Sequence, residues 1–510
     1  MSSVEMLAKA LALIVGSSNL TMGAEELAAA SADLWPFPAP QAAALIVKPG
    51  STREAAQVVS EAARAGLPVV ARGAGLSYTR GLATSTPALV IDTTRLDAID
   101  IRAEDLVAVV GAGVSWQTLA DALSPFGLRS LVPGPISGAV TTVGGAVSQY
   151  VPGSMDGVLG VRVVLADGTV VTTGSAARDG DAPFHRHAGP DLTGLFIGDC
   201  GAFGIKTEIA LRLIKDQPAA FASFAYSDPA KMIEDIIQLR STSVVTRILA
   251  MDQSRGDEAG KLEAGEAWET ASAVAAKAGS AFGAVKEVAA MVRGKLELSA
   301  APWSLHLTTE AASAEIAEQL IALARSCCVH AVREIEPTVP KALRARPYSI
   351  RGFVGVEGER WVPIHGMLAP SRAKPAFADL QSVILGYRND MQAAGVRHSW
   401  LISSPGAYVT IEPMFFWPDA LDPIHLQHLS PRNRERFAGR PANATAREVV
   451  ARLRQDLRAC FERHGAVHAQ TGRFYRHAQR LDAGSRALLD RIKLALDAEN
   501  LMNPGVLGLD

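Results

Sequence analysis

Four cysteines are all that this chain offers: Cys200, Cys327, Cys328 and Cys460. They are too few for a disulfide scaffold. The adjacent Cys327 and Cys328 make no CxxC, so neither a zinc ribbon nor a redox dithiol is expected. An excess of one charge is missing as well. The formal charge of −2 gives no footprint for nucleic acid or an anionic membrane surface. No apolar run approaches the roughly 18 residues of a membrane span. Residues 10–15 imitate the core of a signal peptide, but the stretch is short, Glu5 lies upstream and no cleavage site follows. An amphipathic first helix is the better reading, and a cytoplasmic setting is expected.

What is present is apolar bulk: 48% hydrophobic residues in a chain of 510, too long for one ordinary core. Two domains are expected. Glycine is concentrated in three segments. The first is Arg72, Gly73, Ala74, Gly75, Leu76, Ser77 and Tyr78. The second runs from Pro133 and Gly134 to Thr142, Gly144, Gly145 and Ser148, with Gly153 and Ser154 beyond. The third holds Gly198, Gly201, Gly204 and Ile205. One such loop marks a turn. Three in order, each beside a β-rich run, suggest backbone wrapped around one extended anionic ligand, because bare amides approach phosphate closely.

Residues 44–215 alternate strands and helices. Strands are expected at 44–47, 68–71, 89–91 and 106–110. Ser51 and Glu54 form a capping box opening a helix through residue 65. Residues 161–171 read as a hairpin turning on Asp167 and Gly168. Gly111 and Gly113 imitate a dinucleotide fingerprint, but Trp116 stands where a third small residue is needed, so that reading is set aside. Beyond 216 the pattern is mixed and antiparallel: strands at 303–307 and 408–412, helices near 312–326 and 375–394, surface helices over 258–292. A helix at 446–463 brings the chain back.

The three glycine segments, Asp191 to Gly198 ahead of the third, and the closing Asn503, Pro504 and Gly505 together resemble the flavoprotein family of vanillyl-alcohol oxidase and p-cresol methylhydroxylase. The resemblance implies an α+β fold: a two-part FAD-binding domain (1–215 and 450–510) around a cap, or substrate, domain (216–449). It implies FAD as cofactor, held by the glycine segments and Asn503. Where many relatives attach FAD through a histidine, this chain has Leu76, so non-covalent binding is expected.

Two branches of the family compete. The resemblance to 4-alkylphenol oxidases rests on Tyr78, Tyr475 and Arg476, which would clamp a phenolate, and it implies oxidation of a para-substituted phenol or benzylic alcohol. In the D-2-hydroxy-acid dehydrogenases a cap metal binds the substrate carboxylate. Here the corresponding Glu-His-Gly is Gln470-Thr471-Gly472, and His425 and His428 read as solvated loop residues, so no metal is expected. In the cap, Arg351 and His398 are possible pocket residues, while Phe416 and Trp417 are explained more simply by core packing. His365 and Glu412 are candidate bases, and His468 is a third. A flavin-binding subunit without turnover stays open. Oxygen or a redox protein as electron acceptor, and a homodimer, complete the expectations.

Overall fold

The computed structural model describes residues 3–151, 155–178, 182–260, 264–276, 281–348 and 353–509. It divides into two compact units. The first comprises Met1–Asp216, Asp422–Ser430 and Ala469–Asp510, and the second Gln217–Leu421 and Pro431–His468. The chain crosses into the second unit between Asp216 and Gln217. The return does not fall at 450: helix Ala444–Arg463 stays with the second unit, burying Val449, Val450, Leu453, Leu457 and Phe461 and packing along helix Pro370–Gly386. Asp422–Ser430 is a short excursion into the first unit that no composition shift announces.

The first unit holds two sheets. One is four-stranded, in the order Leu20–Thr21, Leu45–Val47, Leu89–Asp92 and Val69–Arg72, and its last three strands are parallel. The other is antiparallel around the long strand Ile205–Lys215, which pairs with Val107–Gly111 and Val158–Val164. Helix Thr52–Arg64 begins as expected: Ser51 Oγ accepts from the Glu54 amide at 3.1 Å. Glu54 reaches back to the Gly50 amide at 2.8 Å, one residue before the usual partner. Helix Ser3–Val15 sends Leu7, Leu11 and Val15 into the core shared with this helix and both sheets, leaving Leu13 in solvent. Four-residue spacing explains that split.

The second unit is one eight-stranded antiparallel sheet. Its order is Arg333–Ile335, Ala219–Tyr226, Trp303–Glu310, Arg247–Asp252, Arg397–Ser403, Val409–Trp417 and Arg360–Pro363, with Gly366–Leu368 also on Val409–Trp417. Phe377 of helix Pro370–Gly386 packs against Trp303 and Trp400 on one face. Phe415, Phe416 and Trp417 are buried core, as their density in an aromatic-poor chain suggests. Among the described residues no helix is long and apolar enough to cross a membrane.

Candidate functional site

The first glycine segment leaves strand Val69–Arg72 and is shaped by its own arginine. Arg72 Nη1 donates to the Ala30 and Ala32 carbonyls at 3.0 and 2.9 Å. Burial lowers its pKa to about 10, against the raising influence of Asp92 and Asp33. Gly75 has φ +76°, and a Cβ there would lie 2.5 Å from the Arg72 guanidinium. A Cβ on Gly73 would lie 2.3 Å from Thr142 Oγ1. Thr142 in turn caps helix Val143–Gln149, accepting from the Gly145 amide at 3.2 Å. First and second segments are therefore built against each other.

The glycines divide into two kinds. Those at 73, 75, 134, 144 and 204 serve the chain's own close packing, because an added Cβ would strike Thr142, Arg72, Trp116, Ala112 and Val163 respectively. Gly201 faces nearly open space, with Asn503 Nδ2 at 3.9 Å the nearest atom, and Gly145 has one close neighbour, Thr142 Oγ1, which a Cβ would crowd at 3.1 Å. Among the described residues none accepts a hydrogen bond from the Gly75 or Leu76 amides. Half-buried backbone with open glycine faces and unspent amides fits a diphosphate-bearing cofactor. Gly111 and Gly113 do not contribute: a Cβ on either would strike the backbone of Leu96 or Thr93 at 2.1 and 2.2 Å, and Trp116 is buried beneath Gly134. Gly153, Ser154 and Arg351 lie outside the described residues.

The third segment is pinned from within. Asp199, fully enclosed, bonds Lys206 Nζ at 2.6 Å and accepts from the Gly201 amide at 3.1 Å. The Ser148 carbonyl accepts from the Cys200 amide at 2.8 Å, and Ile205 starts the long strand. Asn503 ties this segment to the first. Its Nδ2 donates to the Cys200 carbonyl at 2.7 Å and the Gly81 carbonyl at 2.9 Å, while its Oδ1 accepts from Arg473 at 2.7 Å. Its side chain is thus occupied in holding loops together, a positioning role that the resemblance alone did not indicate.

Tyr78 and Tyr475 are brought near one another. The Thr79 carbonyl accepts from the Arg473 and Phe474 amides at 2.9 and 3.1 Å, and both tyrosines are buried, at 8% and 3% exposure. Arg476 is exposed. The half-buried arginine of this turn is Arg473, which also donates to the Arg80, Gly81 and Pro504 carbonyls. Only the φ of +54° at Gly472, where a Cβ would meet the Thr79 carbonyl at 2.4 Å, makes room for the turn.

His425 is buried and His428 half-buried, against the solvated reading. His428 is hydrogen-bonded to the Ala74 backbone, and burial lowers its pKa. The excursion 422–430 therefore reaches the first glycine segment, which spacing could not reveal.

In the second unit the three candidate bases fall together. Pro363 faces Met414 and Gly366 faces Ile411, so the intervening His365 falls opposite Glu412 on strand Val409–Trp417. His468 Nδ1 lies 2.8 Å from the His365 carbonyl, next to the bridge between Met367 and Val467. A carbonyl only accepts, so Nδ1 carries the proton and neutral His468 keeps Nε2 as its basic nitrogen. Glu412 keeps part of its surface open, yet desolvation pushes its carboxyl up to about 7, partly opposed by the Arg255 guanidinium. A carboxyl poised near neutrality suits proton transfer.

Residues 43–174 match the family model of an FAD binding domain. Among curated proteins, a D-lactate dehydrogenase of Archaeoglobus fulgidus is 28% identical over 46% of this chain and 53% of its own length. Glycolate oxidase subunit GlcD of Bacillus subtilis is 31% identical over 33% and 36%. The chain thus spans about half or less of the curated relatives it matches. Two solved structures align along nearly all of it. p-Cresol methylhydroxylase with substrate bound gives a TM-score of 0.71 at 17% identity, covering 100% of this chain and 97% of that one. 4-Ethylphenol oxidase from Gulosibacter chungangensis gives 0.70 at 17%, covering 99% and 97%. Fold and cradle define an FAD-binding protein of two α+β units. Residues 43–174 form an FAD binding domain, and the fold along nearly the whole chain is similar to that of p-cresol methylhydroxylase.

A Gly145→Leu substitution tests the cradle. Its Cβ crowds only Thr142 Oγ1, which must shift by a few tenths of an ångström, while leucine gains helix propensity over glycine, so stability should move by only about 1 kcal/mol. Flavin absorbance should be lost from the purified protein while its melting transition persists. A yellow variant with normal FAD affinity would remove Gly145 from the cofactor site.

Proposed function

We propose that this protein is an FAD-dependent oxidoreductase that oxidises a hydroxyl-bearing small molecule, a para-substituted phenol or benzylic alcohol. The observation that carries the oxidoreductase reading is the Glu412, His365 and His468 group in a chain with an FAD binding domain. FAD, when held by the glycine segments, would supply the two-electron sink for the substrate's hydride. Glu412 in its ionised form accepts the hydroxyl proton at a carboxylate oxygen. His468, its tautomer fixed by the His365 carbonyl, offers Nε2 as a second acceptor. Tyr78 and Tyr475 support the phenol reading: two buried phenol hydroxyls can donate to a phenolate oxygen and stabilise its charge. The exposed Arg476 supplies no third donor to that pair as it stands.

A D-2-hydroxy acid is the second reading, favoured by the D-lactate and glycolate enzymes among the sequence relatives. Anaerobic titration of the yellow protein separates the two. Bleaching by 4-alkylphenols or benzylic alcohols, with lactate and glycolate inert, is the expected result. Bleaching by hydroxy acids alone would replace the phenol reading, and inertness to both would favour a flavin-binding subunit without turnover. The electron acceptor belongs to the same assay: reoxidation by air marks an oxidase, and a requirement for a redox protein marks a dehydrogenase. A cytoplasmic homodimer remains part of the proposal, tested by fractionation and light scattering.

A further inference from the structure

We propose that Asp379, Cys460 and His464 form a zinc site that staples two helices of the second unit, independent of the redox chemistry. Cys460 lies in the last turn of helix Ala444–Arg463 and His464 caps its C-terminus four residues on, its amide bonded to the Cys460 carbonyl, which puts both at one corner of the helix end. Asp379 comes from helix Pro370–Gly386, packed along it. One ligand atom from each of the three lies within 4.8 Å of the other two, and His464 Nε2 is already 2.8 Å from Asp379 Oδ2.

The donor set decides the ion. Thiolate, imidazole and carboxylate together suit zinc, whereas magnesium and calcium take oxygen ligands. Cys460 is fully buried and His464 half-buried, so the sulfur forms the floor of the site. Asp379 is exposed and marks the side from which an ion and a completing water arrive. Binding exchanges the thiol proton for the metal, and the proton leaves to solvent. Burial holds that thiol protonated in the absence of metal, with Arg463 opposing and Asp379 reinforcing the effect.

Position sets the role. Phe377, on the helix that carries Asp379, packs on Trp400. Trp400 precedes Leu401, which pairs with Glu412. Successive strand residues point to opposite faces, so the cluster lies across the sheet from Glu412. Zinc there joins the helix layer, on the face of the sheet away from Glu412.

The test uses the FAD-loaded full chain, stripped with a chelator and dialysed against zinc. About one tightly held zinc per chain is expected, with a raised melting temperature and an unchanged rate of flavin reduction. Cobalt in its place should give tetrahedral d–d bands at wavelengths beyond flavin absorption. Cys460→Ser and His464→Gln should each lose the zinc and its thermal shift. His464→Gln replaces a half-buried residue at a helix end, so a folded protein for the comparison is assured even where the buried cysteine is less tolerant. Failure of the parent to hold stoichiometric zinc, or retention of it by His464→Gln, would overturn the proposal.

Discussion

Asn503→Ala is expected to release FAD and to lower stability by about 3 kcal/mol, since two buried donor bonds and one charge-assisted bond disappear together. The arithmetic follows from what the side chain holds. Its Nδ2 joins the Cys200 carbonyl of the third glycine segment to the Gly81 carbonyl beyond the first. Its Oδ1 accepts from Arg473, whose pKa burial already depresses to about 10. Alanine leaves that guanidinium short of a partner in a low-dielectric place, where an incompletely satisfied charge is costly. The backbone compounds the loss. Asn503 has φ +44°, a left-handed conformation that asparagine accepts more readily than alanine. Calorimetry and flavin absorbance after gel filtration give the readout. A variant that melts with the parent and stays yellow would show that the cradle's loops keep their places without this residue.

Glu412→Gln is expected to slow substrate-driven flavin reduction by roughly 10²-fold or more, the usual contribution of a general base. The pH profile is the sharper test. The carboxyl's folded pKa is raised from 4.5 to about 7 by desolvation. The basic form therefore accumulates as pH rises through 7, and the parent's reduction rate should climb through that point to a plateau. Glutamine removes the step. Stability runs the other way: a raised carboxyl favours the folded protein while protonated, and this contribution is lost as pH rises between the unfolded value and about 7. The parent should thus lose some stability over the window in which it gains rate, and Glu412→Gln should show neither trend. Stopped-flow reduction and thermal melts across the same buffers check both. A variant with the parent's rate and profile would assign Glu412 to packing and leave His365 and His468 as the proton acceptors.

Local features were legible because they rest on short-range chemistry. The capping box at Ser51, the Asp167–Gly168 hairpin turn and the amphipathic spacing of Leu7, Leu11 and Val15 need only neighbours along the chain. Trp116 sufficed to reject the Gly111 and Gly113 decoy, and the fold places that ring under Gly134. Length and composition pointed to two domains, and the resemblance carried by the three glycine segments implied a flavin-type α+β protein.

Tertiary structure alone decided which residues of these segments meet a ligand and which meet each other. Gly73 and Gly201 both sit in glycine-rich loops, yet one is packed against Thr142 and the other faces nearly open space. Arg473 and Arg476 lie three residues apart on one turn. Only its anchorage on the Thr79 carbonyl leaves the first half-buried and the second exposed. The approach of His428 to Ala74 spans more than three hundred residues, and His365, Glu412 and His468 converge only through strand register. Register and loop packing are set by burial summed over distant partners, and no local window of sequence contains that sum.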